Sequence, residues 1–231
     1  MVDRIDVLDH GYVRLVKPWG TDLDIVNAAR VSYAKETAQM RPQDVKLIQF
    51  LAREGHTSPF RHAFLSFEVY CPLLVARQWW KYVVGSDHSM DAWNESSRRY
   101  VTEEPTFYIP AEDQWRSAPA SAKQGSGMAF SAEEGREWTE KLLAFVEQGE
   151  ALYSAAMEAG IAAEQARLFL PAYGIYVRFR WSTSVQAVAH FLNQRMEHDA
   201  QWEIQQFAVA VYDLAKPLFE HSLDALVSRE S

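Results

Sequence analysis

One cysteine, Cys71, stands in 231 residues, so no internal disulfide is available and the chain suits a reducing compartment. No apolar run is long enough to span a bilayer. The N-terminal stretch MVDRIDVLDHGYV lacks the apolar core of a signal peptide, which points to a soluble cytoplasmic protein. Positive charge is scarce: 23 Lys and Arg against 31 Asp and Glu leave a formal charge of −8, which argues against general nucleic-acid binding. GSG at 125–127 lacks the Gly-Lys-Ser/Thr ending of a phosphate loop. No dinucleotide fingerprint follows a strand. The pairs His56/His62 and His190/His198 do not share a helical face, so no metal is expected. No serine sits in a strand–elbow–helix setting. Cys71, at a strand end in EVYCPLL, reads as a buried thiol rather than a nucleophile.

What is present is a globular chain. Apolar residues reach 48% and aromatics 13%, enough for one sizeable core or two small ones. Without repeats or Gly/Ser linkers, residues 1–231 read as one domain. GYVRLVK, AFLSFEVY and YVRFRWS alternate as strands. TDLDIVNAARVSYA opens with Thr21 and Asp24 in capping-box spacing, and SAEEGREWTEKLLAFVEQGEALYSAAMEAG with Ser131 and Glu134. PQDVKLIQFLAREG runs from Pro42 to Gly55, the usual helix punctuation. PLLVARQWWKY, AAEQARLFL, SVQAVAHFLNQRM and DAQWEIQQFAVAVYDLA complete the predicted helices. Residues 111–130, rich in Ser, Ala, Gly and Pro, are expected to form a mobile loop. The fold class is α/β in the α+β sense, with helices dominating a few antiparallel strands.

Several charges break these patterns. Val185, Val188 and Leu192 form an apolar stripe whose next member is Arg195. Arg167 shares a face with Ala163, Ala166 and Leu170. Leu74, Gln78 and Lys81 lie on one line, with Arg77 beside it. An arginine on an apolar face is costly unless it is paired or meets a ligand. Taken singly, each reads most simply as a snorkelling or ion-paired side chain. Taken together, and beside WNESSRRYV at 93–101, which follows neither helical nor strand period, they point to a pocket for a phosphate-bearing small molecule. Guanidinium forks suit phosphate, and loop hydroxyls add neutral donors.

The runs GHTSPFRH, ARQWW, NESSRRY, ARLFLP and FLNQRMEHDAQWEI, in that order and spacing, resemble the flavin-dependent thymidylate synthases over nearly the whole chain. The resemblance implies the thymidylate synthase-complementing-protein-like fold, with helices around an antiparallel sheet. It also implies C5 methylation of deoxyuridylate with a methylene from methylenetetrahydrofolate, bound FAD, NADPH as reductant, and a homotetramer with shared active sites. By the same resemblance, Arg77 and Gln78 contact nucleotide. Glu95, Ser96, Ser97, Arg98 and Arg99 form the substrate loop that cradles its phosphate. Arg167 is a further nucleotide ligand, and Arg195 faces the pyrimidine edge. Ser58 and His190 fall at flavin positions, together with Lys81 and Glu95, and His56 lies where folate and flavin meet. A fixed cation at Arg195 would stabilise charge developing on the ring.

The sequence also departs from that family. The usual Arg-His-Arg after the tryptophans reads Lys81-Tyr82-Val83, and the segment from Val84 to Ala92 is lengthened. Arg61 stands where an acidic flavin ligand is common. Ser184 and Gln186 replace an Asn and an Arg, and Asp199 replaces a His. Two alternatives stay open: a relative that methylates UMP for a nucleoside antibiotic of the polyoxin type, and a non-catalytic nucleotide- or flavin-binding protein.

Overall fold

The computed structural model describes residues 3–31, 34–84, 92–95, 106–119 and 125–228. Five antiparallel strands form one sheet in the order β1-β2-β3-β5-β4. They are β1 (Arg4–Val7), β2 (Gly11–Trp19), β3 (Phe64–Pro72), β4 (Ala92–Glu95) and β5 (Tyr176–Ser184). The helices are α1 (Asp22–Arg30), α2 (Pro42–Arg53), α3 (Leu73–Val84), α4 (Ala132–Glu158), α5 (Ala163–Ala166), α6 (Val185–Arg195), α7 (Trp202–Ala215) and α8 (Glu220–Leu226). The mixed helical and antiparallel class expected from the sequence is what forms.

Strand register explains the alternation. Val13 faces Val69, which faces Phe179, and Leu15 faces Phe67, which faces Trp181. These residues and Cys71 lie on one side of the pleat and belong to the core cluster, except that Leu15 is partly buried and packs against it, because successive side chains alternate faces. The other side carries Tyr12, Arg14, Glu68, Tyr70, Arg178 and Arg180 in the same registers. Glu68 accepts from Arg14 at 3.0 Å and from the Tyr12 hydroxyl at 2.9 Å. Burial alone would raise the Glu68 pKa, but these hydrogen bonds hold it below the usual range.

Three expectations are corrected. The 93–101 stretch is not wholly irregular, because Ala92–Glu95 is a strand paired with β5; residues 96–101 lie outside the described residues. The segment 111–130 is not a bare loop in its described parts. It carries a 3-10 turn, Glu112–Gln114, and a bridge between Arg116 and Ala129, with Phe130 N–H donating to the Trp115 carbonyl at 2.7 Å. Two elements were also missed, β1 and α8. β1 is a short, charged edge strand. α8 owes its start to a distant side chain: the Asp22 carboxylate accepts from the backbone N–H of His221 at 2.9 Å and of Ser222 at 3.1 Å.

α4 runs along a smaller cluster of Phe107, Val146 and Leu170. Gly149 lets it approach closely, since a Cβ there would sit 2.8 Å from the Phe169 carbonyl oxygen. Much of its outer face, including Trp138, Phe145 and Leu152, is exposed. No helix among the described residues is long and apolar enough to cross a membrane.

Candidate functional site

The site begins with a tryptophan whose indole N–H has no hydrogen-bond partner among the described residues. Trp79 in α3 is fully buried. It stacks on Phe191 of α6 with centroids 4.5 Å apart and meets Trp181 of β5 edge-on at 5.5 Å. With that side chain fixed inward, helical spacing carries Leu74, Arg77, Gln78 and Lys81 together to another face. They line a cleft of about 380 Å³ with Tyr173 and Gln201. Arg77 sits over the Tyr173 ring at 5.8 Å, so two cations, Arg77 and Lys81, border this cleft.

Arg195 continues the fully buried line of Val185, Val188 and Leu192, as the stripe predicted, and is itself half-buried. Its Nε donates to the Tyr82 hydroxyl at 2.6 Å, and its guanidinium carbon lies 5.3 Å from the Tyr82 ring centre. Its Nη1 donates to Gln78 Oε1 at 3.4 Å. These partners are neutral, so they fix the guanidinium without cancelling its charge. Tyr82 in turn donates to Gln194 Oε1 at 2.7 Å. Burial raises the Tyr82 pKa, with the Arg195 charge pulling the other way, and the phenol stays protonated near neutral pH.

From Gln78 the network continues across the fold. Gln78 Nε2 donates to Gln201 Oε1, and Gln201 Nε2 donates to Glu203 Oε2 at 2.7 Å. Gln201 and Glu203 also border a second cavity of about 390 Å³, with Tyr108, Trp115 and Arg116 on its wall. Burial, followed by the negative charges of Glu203 and Asp9, pushes the Tyr108 hydroxyl far above the ordinary phenol range.

The structure therefore unites Arg77, Gln78, Lys81 and Arg195. His190, exposed on α6, joins their edge, its ring 5.7 Å from that of Tyr82. The remaining candidates lie apart. Arg167 opens a 3-10 turn, Arg167–Phe169, is half-buried, and does not line the 380 Å³ cleft. His56 is exposed and lies edge-on to Phe50 at 6.1 Å. Ser58 opens another 3-10 turn, Ser58–Arg61, and is also exposed. Glu95 ends β4. Ser96, Ser97, Arg98 and Arg99 lie outside the described residues.

Lys81 and His190 are exposed N–H-bearing groups at the edge of the cleft, and such donors suit the diphosphate of a flavin dinucleotide; His56 and Ser58, also exposed, stand apart from them. Ser184 caps α6 by accepting from Ala187 N–H at 3.2 Å. Gln186 Oε1 is a buried oxygen without a hydrogen-bond partner among the described residues. Sequence reasoning missed Tyr82, Gln194, Gln201 and Glu203 as parts of the site. Gln201 and Glu203 sit inside the quoted run FLNQRMEHDAQWEI, but polar residues at a helix start look like ordinary capping chemistry.

The thymidylate synthase complementing protein family model matches residues 14–220. A flavin-dependent thymidylate synthase of Thermotoga neapolitana is 37% identical over 211 residues, covering 90% of this chain and 87% of its own. One from Thermus thermophilus is 40% identical over 213 residues, covering 92% and 74%. Among solved structures, the UMP/dUMP methylase PolB of Streptomyces cacaoi, bound with 5-Br dUMP, is similar with a TM-score of 0.81. It is 26% identical, with 96% of each chain covered.

Proposed function

The chain belongs to the thymidylate synthase complementing protein family, the flavin-dependent thymidylate synthases, and from this premise we propose a residue-level account of its reaction. It is an enzyme of the thymidylate synthase type that methylates C5 of a uridine monophosphate, dUMP to dTMP. The observation that carries the site assignment is the polar cluster of Arg195 and Gln78 at a cleft bordered by Arg77 and Lys81.

In this reading Arg77 and the loop residues Glu95, Ser96, Ser97, Arg98 and Arg99 take the nucleotide, with Arg167 as a further ligand. Cations suit the phosphate, and hydroxyls add neutral donors. Arg195 meets the pyrimidine edge and stabilises negative charge developing there. Tyr82 and Gln78 fix its guanidinium beforehand, so little reorganisation is needed as charge appears. His56, Ser58, Lys81, Glu95 and His190 hold FAD. FAD held there would supply a hydride, which with the methylene carbon of methylenetetrahydrofolate would make up the new methyl group; the C5 proton would leave to solvent, tetrahydrofolate would be released, and NADPH would restore the reductant. The chain works as one domain, in the cytoplasm, and as a homotetramer with shared active sites. The exposed Trp138, Phe145 and Leu152, spaced seven residues apart along α4, support an oligomer.

A second reading keeps the reaction and changes the sugar. The Streptomyces cacaoi methylase was solved with 5-Br UMP as well as 5-Br dUMP, which favours a tolerance for ribose here. Tritium release from 5-tritiated dUMP and UMP, measured side by side with and without the folate, tests both. Folate-dependent release from dUMP is expected; no release from either nucleotide would leave a binding protein.

A further inference from the structure

The second cavity, of about 390 Å³, borders the nucleotide cleft through Leu74 and Gln201 and is otherwise separate from it. Phe107, Trp115, Leu142, Val146 and Pro171 give it apolar walls. Those walls are braced. The Trp115 indole N–H donates to Thr139 Oγ1 of α4 at 2.8 Å. α4 packs so closely on the Glu112–Gln114 turn that a Cβ on Gly135 would overlap the Glu112 carbonyl oxygen. Two donors on the same wall lack acceptors. Tyr108 is 4% exposed, and its hydroxyl has no hydrogen-bond partner among the described residues. Burial and the nearby Glu203 charge keep it protonated, so it remains a donor. The buried Arg116 Nε–H is also without a partner among the described residues, and its guanidinium carbon lies 5.1 Å from the Trp202 ring centre. The two donors are close enough that the Arg116 charge pulls the Tyr108 pKa down against the larger effects. Glu203 is provided for elsewhere: it accepts from Gln201 Nε2 at 2.7 Å and stands in the first turn of α7, where the helix end favours a negative charge.

We propose that this cavity is a second ligand site, which takes a small two-ring aromatic carboxylate with its rings against Phe107, Trp115 and Val146 and its carboxylate on Arg116 Nε and the Tyr108 hydroxyl. Leaving buried donors unpaired is costly, and an unexplained pair in one cavity asks for an acceptor. Water is a poor occupant of most of this space, because a buried water needs two or more polar partners and these walls are largely carbon. An apolar group that displaces such loosely held water gains affinity. Volume sets the size of the ligand. A dry cavity of about 150 Å³ takes one benzene ring, so 390 Å³ has room for two fused rings and a substituent. Charge sets its sign. A guanidinium forms its strongest hydrogen bonds with carboxylates, and Arg116 meets only the neutral Trp202 ring.

The test measures binding of 2-naphthoate and of its uncharged analogue 2-naphthamide to the FAD-loaded enzyme by calorimetry, with and without saturating dUMP. Wild type should bind 2-naphthoate in both conditions, and at least about tenfold more tightly than the amide. Arg116→Met keeps the length of the side chain and removes its charge, so the naphthoate:naphthamide affinity ratio should fall toward one. Tyr108→Phe removes only the hydroxyl and should weaken 2-naphthoate by about threefold or more; being nearly isosteric, it guards against a folding defect peculiar to position 116. Failure of wild type to bind 2-naphthoate would overturn the proposal. So would its displacement by dUMP, which would make the cavity part of the nucleotide cleft. Equal weakening of acid and amide in Arg116→Met would make Arg116 a structural support and refute the carboxylate assignment.

Discussion

Replacing Arg195 with alanine should slow methylation far more than it weakens nucleotide binding. The side chain supplies one preorganised, positively charged donor at the proposed pyrimidine edge. Removing such a donor typically costs about 3–4 kcal/mol of barrier. At about 1.36 kcal/mol per decade this is roughly two to three orders of magnitude in kcat. The structure limits the collateral damage. Tyr82 keeps its hydrogen bond to Gln194, and Gln78 keeps Gln201, so neither partner is orphaned. Melting temperature should therefore change little. Arg195→Lys should recover little, because an ammonium cannot reach Tyr82, Gln78 and a pyrimidine oxygen together as a planar fork does. Tyr82→Phe offers an internal scale: it keeps the charge and the ring but removes the acceptor at 2.6 Å. Its loss in kcat should be smaller than that of Arg195→Ala, about 1.5–3 kcal/mol at most. The assay is single-turnover methylation with saturating nucleotide and pre-reduced flavin. Near wild-type rates in Arg195→Ala would make Arg195 a structural cation and refute the reasoning. Collapse of binding with an unchanged rate would make it a recognition residue. Gln78 could not take over the electrostatic role, because its NH2 already serves Gln201 and the Leu74 carbonyl.

Cys71 is fully buried, so Cys71→Ser should cost about 1–3 kcal/mol of stability through a buried hydroxyl while turnover per folded molecule is kept; complete inactivity with native circular dichroism would contradict the thiol-free mechanism. Asp44 is fully buried and accepts from the backbone N–H of Arg41 at 2.9 Å and from the guanidinium of Arg30. Burial alone would raise its pKa, but these partners depress it, so its contribution is fully present above the unfolded-state pKa and is lost as pH falls through the lower folded value. Asp44→Asn should thus destabilise by about 3 kcal/mol at pH 7, and denaturant titrations should show that gap shrinking once pH drops below about 4; a gap independent of pH would rule the charge out. Gly149→Ala should destabilise although alanine favours helix, because the added methyl meets the Phe169 carbonyl oxygen at 2.8 Å. A rise in melting temperature would show that the 169–171 segment yields freely.

Local chemistry made much of this protein legible without coordinates. Alternation marked β2, β3 and β5, and capping pairs such as Ser131 with Glu134 marked helix starts, because these signals act within a few residues. The same local logic set Arg195 apart, since a guanidinium ending the line of Val185, Val188 and Leu192 needs a reason. Short elements escaped it. β4 exists because β5 offers it a ladder, and α8 because Asp22 caps it from 200 residues away. The segment 111–130 looked structureless because the order of its described parts comes from the bridge between Arg116 and Ala129 and from packing of Glu112–Gln114 beside α4, not from periodicity. Most of all, tertiary structure alone decided what Arg195 touches. Tyr82 is 113 residues from it in sequence, and Gln78 is 123 from Gln201. Sequence periodicity can say that a side chain points inward or outward along its own helix. Which donor meets which acceptor depends on how α3, α6 and α7 close over Trp79, and that closure is set by the packing of the whole core.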